Sequence, residues 1–342
     1  MTINLFSDTQ TKPTEGMRRA MYEAEVGDEQ RLADPTTNRL QERTAELLGH
    51  EAGLFLPSGS MCNEISFRLH IRPGGDEIIC DSTAHPRVAE AGGPAALSGA
   101  HLNLVEGDGG IFTGAQLEAA IQPDDRYSYR SRVVSVEQTT NLGGGRVWPL
   151  ERIREVLDVA RAHGLRTHMD GARLMNAVVA SGVPAADFAG AFDTAWVDFT
   201  KGLGAPIGAV LVGSRELIEE AWRYKQMWGG AMRQSGIVAA ACVYALDHHV
   251  ERLAEDHANA KLLAEGLAQL PGVRIDPSLI ETNIVLFEHD QAPRLGEELR
   301  SAGVQVSRMG PTLLRAVTHL DVTREDVERA LEVMRGVIPR AA

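Results

Sequence analysis

Short apolar runs alternate with amphipathic stretches through the first 250 residues of the chain. Apolar runs of this length predict strands, and stretches with a period near 3.6 predict helices. The alternation indicates an α/β fold in which a mostly parallel sheet is flanked by helices on both faces. The predicted strands are 53–56, 77–80, 133–136, 165–170, 195–199 and 207–212, and the clearest predicted helices are 40–48, 63–69 and 150–163.

The pattern changes beyond about residue 250. Helical segments over 252–269 and 293–302 surround a predicted strand at 282–287, and a capping-box sequence at 323–326 opens a last helix. A chain of 342 residues exceeds what one hydrophobic core usually organises. We therefore expect a large domain over residues 1–250, which includes the N-terminal segment, and a small α+β domain over 251–342.

Composition excludes several classes of function. The formal charge of −13 argues against a nucleic-acid partner, because no excess of Lys and Arg is present to neutralise phosphates. Cys62, Cys80 and Cys242 lie far apart without CxxC spacing, so we expect neither disulfides nor a metal site. The N-terminus does not resemble a secretory signal, and the longest apolar run, 236–246, is too short to cross a membrane. A cytoplasmic location is the expectation.

Three chemically distinctive features follow predicted strands. Asp170 closes one strand, Lys201 follows the next, and Ser58-Gly59-Ser60 lies between a strand and a helix. Parallel strands bring their carboxyl ends to one edge, so these features can face a single crevice. A helix start binds phosphate, a carboxylate keeps a pyridine nitrogen protonated, and a lysine amine forms a Schiff base with an aldehyde. These requirements meet in pyridoxal 5′-phosphate, although Lys201 could also be an ordinary surface lysine on a loop.

Eight segments of the chain also resemble a known family. They occur in order from residue 7 to the last helix, and the similarity is to the L-threonine aldolases, in the β-eliminating-lyase group of fold-type I pyridoxal-phosphate enzymes. The resemblance implies the fold of that group. The segments are SDTQTKPT, GDEQRLADPTTNRLQE, FLPSGSMCN, HPRVAEAGG, HMDGARLMNA, TKGLGAPIG, GGAMRQSG and LLRAVTHLD.

The resemblance implies a role for individual residues toward the cofactor. Lys201 matches the lysine that holds the cofactor as a Schiff base, Asp170 the partner of the pyridine nitrogen, and His85 the histidine stacked on the ring. Arg233 matches an arginine that reaches a neighbouring subunit's cofactor phosphate, which implies a homo-oligomer, a dimer or a tetramer, with active sites at the interface. The full cofactor-binding set is Ser58, Gly59, Ser60, His85, Asp170, Arg173, Thr200, Lys201 and Arg233.

The residues implied to contact the substrate include two departures from the family pattern. Ser7, Arg173 and Arg315 match residues that grip the carboxylate of an amino acid. Thr140 replaces a histidine beside the β-hydroxyl, and its hydroxyl can form a hydrogen bond but cannot act as a base near neutral pH. Arg31 replaces a tyrosine and adds positive charge near the substrate entrance. Together they admit a substrate side chain other than the methyl group of threonine, including one with an anionic or polar group.

The implied reaction is a retro-aldol cleavage of an L-β-hydroxy-α-amino acid to glycine and an aldehyde. Lys201, His85 and Asp170 are the expected catalytic residues, and His85 is the leading candidate for the base. Glu90 and His168 are expected to support the site without taking part in the chemistry. The alternatives are β-elimination, racemisation or transamination on the same fold, or a catalytically silent homologue that acts as a binding protein.

Several of these residues have ordinary structural explanations as well. His85 is followed by a proline and could be a turn residue. Arg173 could pair with Asp170 across one helical turn. Arg315 lies in an apolar stretch, where a structural ion pair is an option, and Ser7 could cap a turn near the terminus.

Overall fold

The computed structural model describes residues 2–341, and its largest element is a seven-stranded sheet. Strands of this sheet and of two smaller ones are β1 (Ile3–Asn4), β2 (Ala52–Leu56), β3 (Asp76–Asp81), β4 (His101–Val105), β5 (Arg130–Glu137), β6 (Arg166–Asp170), β7 (Thr194–Asp198), β8 (Ala209–Gly213), β9 (Ile284–Glu288), β10 (Val304–Gln305), β11 (Ser307–Arg308) and β12 (Leu313–Val317). The large sheet has the order β2-β8-β7-β6-β5-β3-β4.

The large sheet is mostly parallel, as the sequence predicts. Its neighbours from β7 through β6, β5 and β3 to β4 pair in parallel, and β8 is antiparallel to both β7 and β2. Alternate residues of one strand enter different cores: Ala195 and Val197 join one core, whereas Trp196 joins the core on the opposite face. Burial on both faces explains why these strands appear in the sequence as nearly continuous apolar runs.

The helices cover both faces of the large sheet. Helices α2 and α7 contact the large sheet on one face, and α3 and α10 contact it on the other. The helices are α1 (Glu15–Tyr22), α2 (Pro35–Leu48), α3 (Gly59–His70), α4 (His85–Val88), α5 (Gly93–Ser98), α6 (Gly114–Ala120), α7 (Leu150–Ala162), α8 (Leu174–Ser181), α9 (Ala185–Ala189), α10 (Arg215–Met227), α11 (Gly236–His248), α12 (Leu253–Leu267), α13 (Ala292–Ser301) and α14 (Arg324–Ala341).

A second core lies in the C-terminal part of the chain. An antiparallel sheet in the order β11-β12-β9 packs with α12, α13 and α14 around Leu263 and Phe287. The N-terminus joins this core, because β1 pairs in parallel with β10 and both Ile3 and Leu5 are buried there. Apart from Ile3 and Leu5, the buried residues of this core lie between Ala260 and Ile338. The domain boundary at residue 250 stays a prediction.

Two further features of the described chain bear on function. Over residues 2–341 no helix is both long enough and apolar enough to span a bilayer. The same residues contain no group of three or more His, Cys, Asp or Glu side chains arranged to hold a metal ion.

The second core generates a stability prediction. We expect Leu263→Ala to lower the free energy of unfolding by about 2–5 kcal/mol, because the fully buried side chain leaves a cavity. The matched control is Leu279→Ala, at a leucine that is 48% exposed, where we expect little change. Denaturant unfolding of the purified variants measures both. Equal midpoints for the two variants would contradict the proposed packing.

Candidate active site

Four neighbouring parallel strands of the large sheet each end in a buried acidic residue. These residues are Asp81 at the end of β3, Glu137 of β5, Asp170 of β6 and Asp198 of β7. Because parallel strands end at the same edge, the fold concentrates negative charge there. Burial and the nearby charge of Asp170 raise the pKa of Glu137 to about 8. The edge therefore needs cations and hydrogen-bond donors, and the residues predicted for the active site supply several of them.

Lys201 lies at this edge, three residues beyond the end of β7. Its Nζ contacts Asp198 Oδ2 at 2.5 Å and lies 5.8 Å from the centroid of the Trp196 ring. Thr200 donates from its backbone N–H and its hydroxyl to Asp198 Oδ1, at 2.9 and 2.8 Å. The lysine side chain is 17% exposed. Its amine is thus held by a carboxylate and is still accessible to a small molecule.

Asp170 is enclosed but well supplied with donors. Asn63 Nδ2 donates to Asp170 Oδ2 at 2.8 Å, and the backbone N–H of Ala172 donates to Oδ1 at 3.0 Å. Burial raises the pKa of Asp170, and the charges of His85 and Lys201 and the Asn63 hydrogen bond oppose that rise. Asp170 thus lies within the electrostatic influence of both His85 and Lys201.

His85 begins α4 and is oriented by Glu90. His85 Nδ1 lies 2.7 Å from Glu90 Oε1, which also accepts a hydrogen bond from Asn63 Nδ2 at 2.7 Å. Burial lowers the pKa of His85, but the Glu90 hydrogen bond and the charges of Asp170 and Glu137 outweigh it, so the pKa is raised. Since a carboxylate only accepts, Nδ1 carries the hydrogen, and Nε2 of the neutral ring has a free lone pair.

The start of α3 forms the third part of the site. Ser58 caps the helix, and its Oγ accepts from the backbone N–H of Met61 at 3.3 Å. A Cβ at Gly59 would lie 2.3 Å from the Trp196 ring, so only glycine lets the helix approach β7 this closely. Ser60 is exposed. First-turn amide groups of a helix have no intrahelical partner, which makes this end suited to a phosphate.

The two arginines predicted to bind a carboxylate differ in their hydrogen bonding. Arg173 forms two hydrogen bonds of 2.7 Å with Asp8, so its pairing with Asp170, one of the alternatives above, is wrong. Arg315 donates to Asn141 at 2.8 Å, and its buried Nε has no hydrogen-bond partner. Burial and the like charge of Arg173 lower the pKa of Arg315. Arg315 thus has the unused donor capacity that a substrate carboxylate needs.

Ser7 and Thr140, whose hydroxyls are predicted to contact the substrate, accept hydrogen bonds from nearby backbone N–H groups. Ser7 Oγ accepts from the backbone N–H of Thr9 at 3.2 Å, so Ser7 caps a short turn, the structural alternative above. Thr140 is 1% exposed, and its hydroxyl accepts from the backbone N–H of Arg146 at 3.2 Å. The roles of both residues in substrate binding stay predictions.

Arg31 and Arg233, which are far apart in sequence, belong to one surface group. Their side chains are 84% and 63% exposed, and both approach Asp28 Oδ2, at 4.0 and 3.0 Å. Beneath them lies a buried ion pair of 2.9 Å between Glu29 and Lys225. The pair ties the segment that carries Arg31 to the segment that precedes Arg233, which keeps the two arginines beside the same carboxylate.

Sequence reasoning missed three residues that organise the site. Asn63 joins Asp170 to Glu90, Asp198 holds Lys201, and Asp8 neutralises Arg173. Asp198 had a detectable signal, because it closes a predicted strand as Asp170 does. The other two lie inside segments that carry the family resemblance, but nothing in the sequence identifies their partners.

Comparison with known proteins places the chain in a family. Residues 4–291 match the model of the β-eliminating lyase family. Low-specificity L-threonine aldolase 1 of Arabidopsis thaliana is 40% identical over 338 residues, which cover 96% of this chain and 94% of that protein. The low specificity L-threonine aldolase of Escherichia coli K12 is 38% identical over 341 residues, with 99% and 100% coverage.

Solved structures agree at the level of the fold. A threonine aldolase of Leishmania major has a TM-score of 0.83 at 19% identity, covering 98% of this chain and 99% of that one. A serine palmitoyltransferase of S. paucimobilis with bound PLP and myriocin has a TM-score of 0.77 at 17% identity, covering 99% and 88%. The fold is thus that of the fold-type I enzymes, as the sequence resemblance implies. The chain belongs to the β-eliminating lyase family and, within it, to the L-threonine aldolases.

Proposed function

We propose that this protein is a pyridoxal-phosphate-dependent aldehyde-lyase that cleaves L-β-hydroxy-α-amino acids, threonine among them, to glycine and an aldehyde. The observation that carries the proposal is the convergence of Lys201, Asp170 and His85 at one sheet edge. Asn63 donates to Asp170 and to Glu90, which holds His85, and Lys201 contacts Asp198 at the end of the neighbouring strand. The relatives named above are threonine aldolases, and the chain matches them along nearly their whole length. An accessible amine, a buried carboxylate and an oriented imidazole are the groups this reaction requires.

The residues at this edge fit the cofactor. Asp170 is a buried carboxylate whose pKa burial raises, so a cationic ring nitrogen beside it would stabilise its ionised form. The start of α3, which approaches β7 closely because residue 59 is glycine, would receive the phosphate. Lys201 supplies the amine for the aldehyde. These three groups match the three polar ends of pyridoxal phosphate.

The protein's own residues would perform the binding and the proton transfer. Arg315 Nε, buried and without a partner, would take the substrate carboxylate and thereby orient the Cα–Cβ bond. His85 Nε2 would accept the proton of the β-hydroxyl while Glu90 holds Nδ1. When bound, pyridoxal phosphate supplies an electron-withdrawing ring that accepts the electron pair of the breaking Cα–Cβ bond. Asp170 keeps that ring protonated.

Three finer points are part of the proposal. Arg233 would reach the cofactor phosphate of a second copy of the chain, in a homotetramer or a dimer whose active sites include the interface, and Arg31, beside the same Asp28, would add positive charge at the substrate entrance. Thr140 provides no base at the position where the family has a histidine, so His85, directly or through a water, is the leading candidate for the base. A cytoplasmic location, expected from the sequence, is part of the proposal and is consistent with the bacterial relative.

The products test the proposed reaction. Incubation of the purified protein and pyridoxal phosphate with L-threonine should give glycine and acetaldehyde in equal amounts. L-allo-threonine and L-phenylserine extend the assay to other substrate side chains and to the other β-configuration. A 2-oxo acid or a racemised substrate, in place of glycine and aldehyde, would favour the alternative reactions on this fold.

The covalent role of Lys201 is tested by substitution. We expect Lys201→Ala to lose the visible absorption band of the bound cofactor, its fixation by borohydride and the cleavage activity, because no other amine is held at this position. Lys261→Ala, at an exposed lysine of α12, is the control and should behave like the wild type. If Lys201→Ala keeps a borohydride-reducible band, the assignment of this lysine is wrong.

The partnership of His85 and Glu90 determines a pH dependence. The base acts in its neutral form, so kcat/KM falls as the pH drops through the pKa of His85, which Glu90 helps to raise. We therefore expect Glu90→Gln to move the acidic limb of the kcat/KM profile to lower pH, with Glu46→Gln as an exposed control. An acidic limb that stays in place, or moves to higher pH, would remove His85 from the role of base.

A further inference from the structure

A continuous series of side-chain hydrogen bonds crosses the buried face between α3 and the large sheet. It starts at His70, at the C-terminal end of α3, and ends at Asp170 and Glu90 in the active site. The distances are 3.1 Å for His70 Nε2 to Thr194 Oγ1, 2.9 Å for Thr194 Oγ1 to His168 Nδ1, 3.0 Å for His168 Nε2 to Asn63 Oδ1, and 2.8 and 2.7 Å for Asn63 Nδ2 to Asp170 and Glu90.

Chemistry determines the direction of each bond, beginning at the carboxylate end. Asp170 and Glu90 accept, so both hydrogens of Asn63 Nδ2 are donated to them. Asn63 Oδ1 can only accept, and it receives bonds from Trp196 Nε1 at 2.7 Å and from His168 Nε2. His168 therefore carries a hydrogen on Nε2. Its neutral ring has a lone pair on Nδ1.

The remaining two bonds follow from this tautomer. His168 is neutral, because burial and the neighbouring His70 lower its pKa to about 3. Its Nδ1 must accept from the hydroxyl of Thr194, whose single hydrogen is then used. The Thr194 oxygen accepts in turn from His70 Nε2. Every donor in the series thus points toward Asp170 and Glu90.

The spacing of the residues explains why they meet. His168 and Asp170 are two apart on β6, and Thr194 and Trp196 are two apart on β7, so all four side chains project from one face of the sheet. Asn63, Phe67 and His70 lie four and three residues apart on α3, and so share one face of that helix. Phe67 packs edge-on against His168 at 5.4 Å between ring centroids. The two-residue repeat of the strands and the three- and four-residue spacing of the helix therefore bring the side chains of the series together.

We infer that Thr194 and His168 are positioning residues, which hold Asn63 so that it donates to Asp170 and Glu90 together. This inference rests on the proposed function for its effect on the reaction. Asn63 is the shared partner of the carboxylate assigned to the ring nitrogen and the carboxylate that orients His85. A rotation of its amide would present an oxygen to both carboxylates. The hydrogen bonds to Asn63 Oδ1 from His168 and Trp196 prevent that rotation.

The series itself is tested without cofactor or substrate. In the cofactor-free protein, ¹⁵N NMR of labelled histidine should show His168 neutral at neutral pH, with its hydrogen on Nε2 and a hydrogen bond accepted at Nδ1. In Thr194→Val the Nδ1 resonance should move toward that of a nitrogen without a hydrogen bond, and Thr194→Ser should restore it. The wild-type spectrum alone can overturn the inference, if it shows that His168 is charged or carries its hydrogen on Nδ1.

The effect on the reaction is measured separately. In the loaded enzyme we expect Thr194→Val to lower kcat about tenfold, equivalent to about 1.4 kcal/mol of transition-state free energy, with KM nearly unchanged. Thr194→Ser should recover kcat, and Thr44→Val, at a buried threonine of α2 bonded to Leu40 O, controls for the loss of a buried hydroxyl. An unchanged kcat in Thr194→Val overturns the positioning role. If the wild type forms no glycine, the proposed function is refuted. The NMR result still tests whether the hydrogen-bond series exists.

Discussion

The side-chain amide of Asn63 connects Asp170 and Glu90 at the carboxyl edge of the large sheet. One of its hydrogens is donated to Asp170, which closes β6, and the other to Glu90, which holds His85. Because strands β3, β5, β6 and β7 all end in buried acids, this edge would be strongly repulsive without such donors and without Lys201 beside Asp198. The same concentration of negative charge makes the edge suitable for a cofactor with a cationic ring nitrogen.

The two buried arginines of the site, Arg173 and Arg315, differ in their partners. Arg173 is neutralised by Asp8 and so ties the N-terminal segment to the large sheet, whereas Arg315 keeps a buried nitrogen without a partner. The first arrangement joins two segments of the chain, and the second leaves a donor open to a ligand. Arg31 and Arg233 belong to neither, since they are exposed around Asp28.

The sequence predicted the buried parallel strands well, because burial on both faces leaves continuous apolar runs. It did not reveal β4, an edge strand in which only Val105 is buried, or β1, whose two residues are defined by pairing with β10, about 300 residues away. The same limit applies to the site. Lys201 and Asp170 were predictable from their places after strands, whereas the partners of Arg173 and the role of Asn63 depend on contacts between distant segments that no local pattern encodes.

A crystal structure of the purified protein with pyridoxal phosphate tests the central claim most directly. We expect electron density that is continuous from Lys201 Nζ to the cofactor, with the phosphate at the start of α3. The pyridine nitrogen should lie about 2.7–2.9 Å from the Asp170 carboxylate, the distance of a charge-assisted hydrogen bond. A cofactor bound with its ring nitrogen away from Asp170, or with its phosphate at another part of the chain, would contradict the account.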